Sequence, residues 1–188
     1  MTKMTRLIAI CGGRRCGKDT IAHRFVEHGY EHMKISKPLK DAIKCMFGFS
    51  DEELETNTKD AVHADWGVSP RAMMQYIGTD VMQYHAQDHI PNIGREFWVR
   101  KFHKQLPEGS RVVISDLRFI HEYEYFKKHI PNFHIIKVSR QREYNSVIDS
   151  HASELEGGYI PYDFHVDNEG SIDELLAKVD AINQTISS

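Results

Sequence analysis

The chain is short of cysteine, of long apolar runs and of net positive charge, and each shortage removes a class of function. Three cysteines in 188 residues, Cys11, Cys16 and Cys45, make neither a disulfide framework nor a paired C-x-x-C metal motif. That usage fits a reducing intracellular setting. No apolar stretch approaches the roughly 20 residues that a membrane span requires, and the N-terminus shows no secretory pattern. A net charge of −3 argues against a broad nucleic-acid surface. An N-K-x-D base reader after a late strand is missing, and so is an H-E-x-x-H zinc motif. Internal repeats, low-complexity tracts and interdomain linkers are absent too.

What is present is ordinary in bulk and specific in place. Hydrophobic residues make up 40% and charged residues 27%, as in many soluble proteins. The length suits one domain, 1–188, large enough for a sheet with helices on both faces. Strand patterns fall at 6–11, 31–35, 111–115, 133–138 and 164–166. Helical patterns fall at 19–28, 38–47, 70–89, 95–106, 119–129 and 171–186. Alternation of the two predicts an α/β fold with a parallel sheet.

Ser69-Pro70 opens the third helix, and Met73, Met74, Ile77 and Val81 form its expected apolar face. Ser171 and Glu174 make a capping box before a helix expected to bury Ile172, Leu175, Leu176, Val179 and Ile182. Residues 48–68 read as a mobile connection. Residues 139–162, with arginines, acids and Gly157-Gly158, read as a lid over a transfer site, or as an ordinary long loop.

The densest signal lies between the first strand and the first helix. Gly12-Gly13-Arg14-Arg15-Cys16-Gly17-Lys18-Asp19-Thr20 matches the phosphate-loop spacing G-x-x-x-x-G-K. Loop N–H groups, a helix N-terminus and a lysine together cradle a polyphosphate. Asp19 stands where a hydroxyl is usual, with Thr20 one place on, so the magnesium-binding hydroxyl is shifted or replaced. Cys16 reads as a small loop filler and Cys11 as an inert strand residue.

Asp116 ends the apolar strand Val112-Val113-Ile114-Ser115, where ligands of doubly wound sheets bind. It would hold magnesium through water or orient the loop hydroxyl, and Arg118 would grip an acceptor phosphate. A turn or helix-cap role is the plainer alternative for Asp116. Arg71 and Gln75 share a helical face at i and i+4, with Gly78 one turn on to permit close approach of a base. A solvated face is the bland alternative there. His85 and His89, also i and i+4, have a zinc-compatible spacing but no evident third ligand, and chance is the simpler account.

Taken in order, Gly-Lys-Asp-Thr, Lys37-Pro38-Leu39-Lys40, Arg71-Ala72-Met73-Met74-Gln75-Tyr76-Ile77-Gly78-Thr79-Asp80, Phe97-Trp98-Val99, Ser115-Asp116-Leu117-Arg118 and Asp167-Asn168-Glu169-Gly170 resemble the deoxynucleoside monophosphate kinases of large bacteriophages and related viruses. The stretch Asp149-Ser150-His151-Ala152-Ser153-Glu154 is similar to the same group, and the likeness runs from residue 6 to about 180. It implies an adenylate-kinase-like P-loop fold of three layers, with an acceptor-binding insertion at about 38–106 and a lid at about 139–162. It further implies transfer of the γ-phosphate of ATP to a deoxynucleoside monophosphate, with magnesium.

On that resemblance Gly12, Gly13, Arg14, Arg15, Cys16, Gly17, Lys18, Asp19 and Thr20 bind the ATP phosphates, and Lys18 stabilises the transferring group. Asn168 and Gly170 lie by the adenine. Lys37, Arg71, Gln75, Asp116 and Arg118 take the acceptor, Arg140 and Arg142 close from the lid, and Asp19, Thr20 and Asp116 face the metal.

Partners would be small molecules, without nucleic acid or membrane, in the cytoplasm of a bacterial or virus-infected cell. A homodimer stays open, as does base selectivity, because 48–68 finds no firm match. Animal-type phosphomevalonate kinase shares the G-K-D loop, the P-L-K segment and the S-D-x-R strand end, and a non-catalytic nucleotide-binding regulator is a further alternative.

Overall fold

The computed structural model describes residues 4–140 and 156–187. They fall into two compact units, one of Met1–Lys34 with Gln105–Ser188 and one of Ile35–Lys104.

The first unit is built on a five-stranded parallel sheet in the order β2-β3-β1-β4-β5. The strands are β1 (Arg6–Gly12), β2 (Glu31–Met33), β3 (Arg111–Ile114), β4 (Asn132–Ser139) and β5 (Phe164–Asp167). In β1 every residue from Leu7 to Cys11 is fully buried. Such a run, apolar on both faces, marks a central strand of a parallel sheet. Its register sets Ala9 beside Ile114 of β3 on one side and Gly12 beside Val138 of β4 on the other.

One sheet face carries Ile8, Ile10, Val113, Ile136 and Val138 against Ile21 and Phe25 of α1 (Lys18–Glu27) and Leu175, Val179 and Ile186 of the last helix, here α7 (Ile172–Ser187). The opposite face carries Phe133, whose ring lies 5.6 Å from that of Phe126 on α6 (Ile120–His129). Helix, sheet and helix therefore make three layers. Each fully buried side chain such as Phe25 contributes about 1.5–3 kcal/mol over an exposed one. Arg24 ties the two helices of the first face, with Nε and one Nη each 2.7 Å from the Asp180 carboxylate. His28 Nε2 meets the same carboxylate at 2.7 Å.

The start of α7 is capped as its sequence predicts: Ser171 N–H donates to Glu174 at 2.8 Å, and Glu174 N–H donates back to Ser171 Oγ at 3.2 Å. Ile172, expected in the core, is instead 67% exposed. It is the first helical residue, one turn ahead of Leu175, where the stripe first meets the sheet.

The second unit is helical: α2 (Lys37–Phe47), α3 (Asp51–Glu55), α4 (Pro70–Gln75) and α5 (Phe97–His103). The connection expected to be mobile contains α3 and a 3₁₀ turn, Asn57–Asp60. A capping box holds α3, with Ser50 N–H donating to Glu53 at 2.8 Å and Glu53 N–H to Ser50 Oγ at 3.3 Å. Leu54 is buried beneath it, and Phe47, Phe49, His63 and Trp66 form a chain of ring contacts.

The helix predicted over 70–89 is continuous only in part. Ser69 caps it through its hydroxyl, which accepts from Ala72 N–H at 3.2 Å. After Gln75 the winding becomes a π-helix over Tyr76–His85, then a 3₁₀ turn over Ala86–Asp88. The wider i→i+5 turn rotates the face that an α-helix would bury. Gly78, Thr79 and Gln83 are buried, whereas Met73, Met74, Ile77 and Val81 are half-buried. The same change of winding removes the single α-helical turn on which the His85–His89 spacing depended. The predicted 95–106 helix is shorter, Phe97–His103, after turns through Asn92 and Gly94 with positive φ.

Both tryptophans lie in this unit: Trp66 Nε1 donates to the Phe47 carbonyl at 3.0 Å, and Trp98 Nε1 to the Gly78 carbonyl at 2.8 Å. No helix among the described residues is long and apolar enough to cross a membrane.

Candidate functional site: the phosphate loop and the strand ends around it

The loop leaving β1 has the backbone its glycines allow. Gly12 has φ +144° and Gly17 φ +103°, a region that side-chain-bearing residues avoid. A Cβ on Gly12 would collide with the Val138 carbonyl oxygen, and one on Gly17 would press on the Asn168 amide. Arg15 is left-handed too, at φ 56°, so three of the six residues from Gly12 to Gly17 have positive φ, the backbone on which anion-binding nests draw. Gly17 then caps α1 without a side chain, which leaves the first N–H groups of the helix for a ligand.

Lys18 folds over this loop. Its ammonium donates to the Gly12 carbonyl at 2.9 Å and the Gly13 carbonyl at 2.5 Å, and sits 3.8 Å from Cys16 Sγ. Cys16 is buried in the sheet core, as a small filler should be. Cys11 is buried below it, and burial pushes its thiol up to about 11. Arg14, Arg15 and Thr20 are exposed along the loop and first turn.

Asn168, expected beside adenine, sits under the loop. It is buried, and its Nδ2 donates to the Cys16 carbonyl at 2.8 Å while its own N–H donates to Ser139 at 2.8 Å. Lys178 of α7 donates to the preceding Asp167 carbonyl at 2.7 Å. Gly170 is exposed just before the α7 capping box.

Sheet order brings three distant segments to Asp19. Ser115, directly after β3, donates from Oγ to Asp19 Oδ1 at 2.7 Å. His32 of β2, which pairs with β3, has Nε2 3.0 Å from the same Ser115 Oγ. Lys34 Nζ lies 3.7 Å from Asp19 Oδ1. Partial desolvation would raise the Asp19 carboxyl, but the Ser115 hydroxyl, then Lys34, His32 and Lys18, outweigh it and hold it below the usual range. Burial, reinforced by Lys34, holds His32 below its ordinary value.

Asp116 is half-buried and Arg118 exposed in the turn after Ser115. That turn rests on Glu122, a residue the sequence reading missed. The buried Glu122 carboxyl accepts from the Arg118 N–H at 2.8 Å and the Phe119 N–H at 3.1 Å. Burial pushes it up to about 7, against the pull of those two N–H groups. An acid three residues after a helix N-cap is a legible signal, and this one follows Phe119 at that spacing. Arg140 is exposed just past β4, and Arg142, most of the expected lid and the 149–154 motif lie outside the described residues.

The expected acceptor residues Lys37, Arg71 and Gln75 belong to the helical unit. Lys37 is exposed and pairs with Asp41 at 2.8 Å. Gln75 is half-buried. Arg71 is held by Asp60 of the 3₁₀ turn, through Nε and, at 3.4 Å, one Nη. Nothing in the sequence signalled Asp60. Gly78 does not open a face to a base: a Cβ there would come within 2.5 Å of the Leu39 side chain, so the glycine lets α2 pack.

Comparison with known proteins fits this geometry. A family model described as deoxynucleotide monophosphate kinase matches residues 46–179. A protein of Acanthamoeba polyphaga mimivirus, provisionally named a deoxynucleotide monophosphate kinase, is 30% identical over 185 residues, covering 92% of this chain and 93% of its own. Among solved structures, shikimate kinase from Aquifex aeolicus superposes with a TM-score of 0.52 at 9% identity, covering 95% of this chain and 96% of its own. Dephospho-CoA kinase from Campylobacter jejuni gives 0.50 at 13% identity, covering 97% and 98%. At such identities the structural likeness speaks for the fold alone: a P-loop kinase fold.

Proposed function

The chain belongs to the deoxynucleotide monophosphate kinase family, and from that premise we propose that it transfers the γ-phosphate of ATP to a deoxynucleoside 5′-monophosphate, giving ADP and the diphosphate. The observation that carries the reading is the loop itself, a glycine-shaped nest at the end of the central strand with the Lys18 ammonium folded over it. Phosphoryl transfer asks for alignment and neutralisation of charge more than for covalent chemistry.

In this reading the loop N–H groups from Gly13 to Thr20 hold the donor phosphates, with Asn168 fixing the loop beneath them and Gly170 nearby. Lys18 leaves its carbonyl partners for the transferring group. Arg118, Arg140 and Arg142 neutralise charge around it. Lys37, Arg71 and Gln75 take the acceptor, within an acceptor-binding insertion of about 38–106 in a single kinase domain. The acceptor phosphate is already anionic near neutral pH, so no strong general base is required.

Asp19, Thr20 and Asp116 supply hard oxygen donors of the kind magnesium prefers. When bound, magnesium would neutralise charge on the donor phosphates. The partners are small nucleotides, and the site of action is the cytoplasm of a bacterial or virus-infected cell.

The test is ADP formation from ATP with magnesium, against dTMP, dGMP, dCMP, dAMP, the matching ribonucleotides and phosphomevalonate. Turnover with one or more deoxynucleotides is expected. Turnover with phosphomevalonate alone would replace the acceptor, and silence across the panel with ATP still bound would overturn transfer altogether.

A further inference from the structure

In a common phosphate loop the residue after the lysine is a serine or threonine, and an acid from a neighbouring strand helps it hold the cation. Here the two chemical types are exchanged. The acid, Asp19, is in the loop position, and the hydroxyl, Ser115, is at the end of β3, 2.7 Å away.

The protons fix the direction of every bond in the chain. Asp19 is a largely exposed carboxylate, ionised at neutral pH, so it only accepts. The one hydroxyl proton of Ser115 therefore goes to Asp19 Oδ1. The Ser115 oxygen then accepts from His32, whose Nε2 carries the proton at 3.0 Å. Lys34 is directed at the same Asp19 oxygen, at 3.7 Å. Asp19 Oδ2 has no protein partner among the described residues, and the side chain is 71% exposed.

A bond chain that starts on a half-buried histidine, passes through a buried serine and ends on an exposed carboxylate adds little to stability, because water competes for its last member. What it does is direct one carboxylate. We propose that His32 and Ser115 are positioning residues, which lock Asp19 through Oδ1 and so reserve Oδ2 for the divalent cation that accompanies the nucleotide. The proposal rests on the reading that the loop binds ATP with magnesium. Partners of this kind typically change metal affinity by about 10–100-fold when removed.

The experiment is calorimetric titration of ATP into the full chain, without acceptor, over a series of magnesium concentrations and in EDTA. The variants are Ser115→Ala, His32→Phe, His32→Gln and the double variant Ser115→Ala/His32→Phe. Magnesium should strengthen ATP binding about tenfold less in Ser115→Ala and in His32→Phe than in the wild type. ATP affinity in EDTA should stay within about twofold, and His32→Gln, which keeps an N–H donor, should behave as the wild type. The double variant should lose no more than Ser115→Ala alone.

Equal losses with and without magnesium, additive losses in the double variant, or a wild-type response in His32→Phe would overturn the proposal. Thermal unfolding of each variant guards against a folding defect; should His32→Phe fail to fold, Ser115→Ala and His32→Gln still decide it. The readout needs no turnover. A shifted magnesium response in a protein that phosphorylates no deoxynucleotide would sink the acceptor reading and leave the positioning intact, and the reverse pattern would do the opposite.

Discussion

Asn168 reaches from the end of β5 to the phosphate loop, its amide donating to the Cys16 carbonyl at 2.8 Å while a Cβ on Gly17 would press on the same amide. The loop is thus held from below by the strand farthest along the chain. Asn168→Ala would leave a buried carbonyl without its partner, at a cost of about 1–3 kcal/mol. Urea unfolding should show that loss, and ATP affinity should fall with it. Unchanged values for both would mean the amide only fills space.

Lys18→Ala should lower kcat by about 100-fold or more, the scale expected when one group stabilising transition-state charge is removed. Its present partners are two backbone carbonyls of an exposed loop, so circular dichroism and the unfolding midpoint should barely change. Retained turnover would sink the proposed chemistry.

Arg118→Ala and Arg71→Ala should each raise the KM for the deoxynucleotide by about tenfold, an assisted charge contact being worth about 1.5–3 kcal/mol. The KM for ATP should hardly move. Steady-state kinetics with each substrate varied in turn separates the cases, and a change confined to ATP would reassign these arginines.

Glu122 predicts a pH effect of definite sign. Its carboxyl, raised by burial to about 7 from 4.5, binds its proton more tightly folded than unfolded. Asp116 adds to the rise, while the two N–H donors and Arg118 oppose it. Its contribution to stability is therefore full below about pH 4.5 and is lost as pH climbs to about 7, on the order of 3 kcal/mol in all. Glu122→Gln should abolish that slope. Urea unfolding of both proteins at pH 5, 6, 7 and 8 should show the variant gaining on the wild type up to pH 7 and level beyond it. A constant difference would mean Glu122 is ionised throughout.

Much of the frame was legible because parallel strands buried on both faces write themselves as unbroken apolar runs, as Leu7–Cys11 does. The loop was legible because glycine at 12 and 17 answers a backbone demand that other residues meet badly. Four things were hidden for physical reasons. Residues 50–55 fold through a capping box and one buried leucine, too short for a periodic signal. The π winding after Gln75 shifts which residues are buried without changing the residues themselves. The meeting of His32, Ser115 and Asp19 follows from strand order, which places β2, β3 and β1 side by side although 83 positions separate His32 from Ser115. Asp60 came from a segment with no pattern to read.

Both indole groups sit in Ile35–Lys104, each hydrogen-bonded to a main-chain carbonyl, and the sheet unit has none. Excitation at the red edge of the aromatic absorption, where indole alone absorbs, thus lights the helical unit and leaves the phosphate loop dark. Trp98, buried against the π-helix, should emit to the blue, and Trp66, nearly half exposed, to the red. The protein carries its own optical label on one of its two units, and a single Trp66→Phe change would narrow that label to the indole bonded to Gly78.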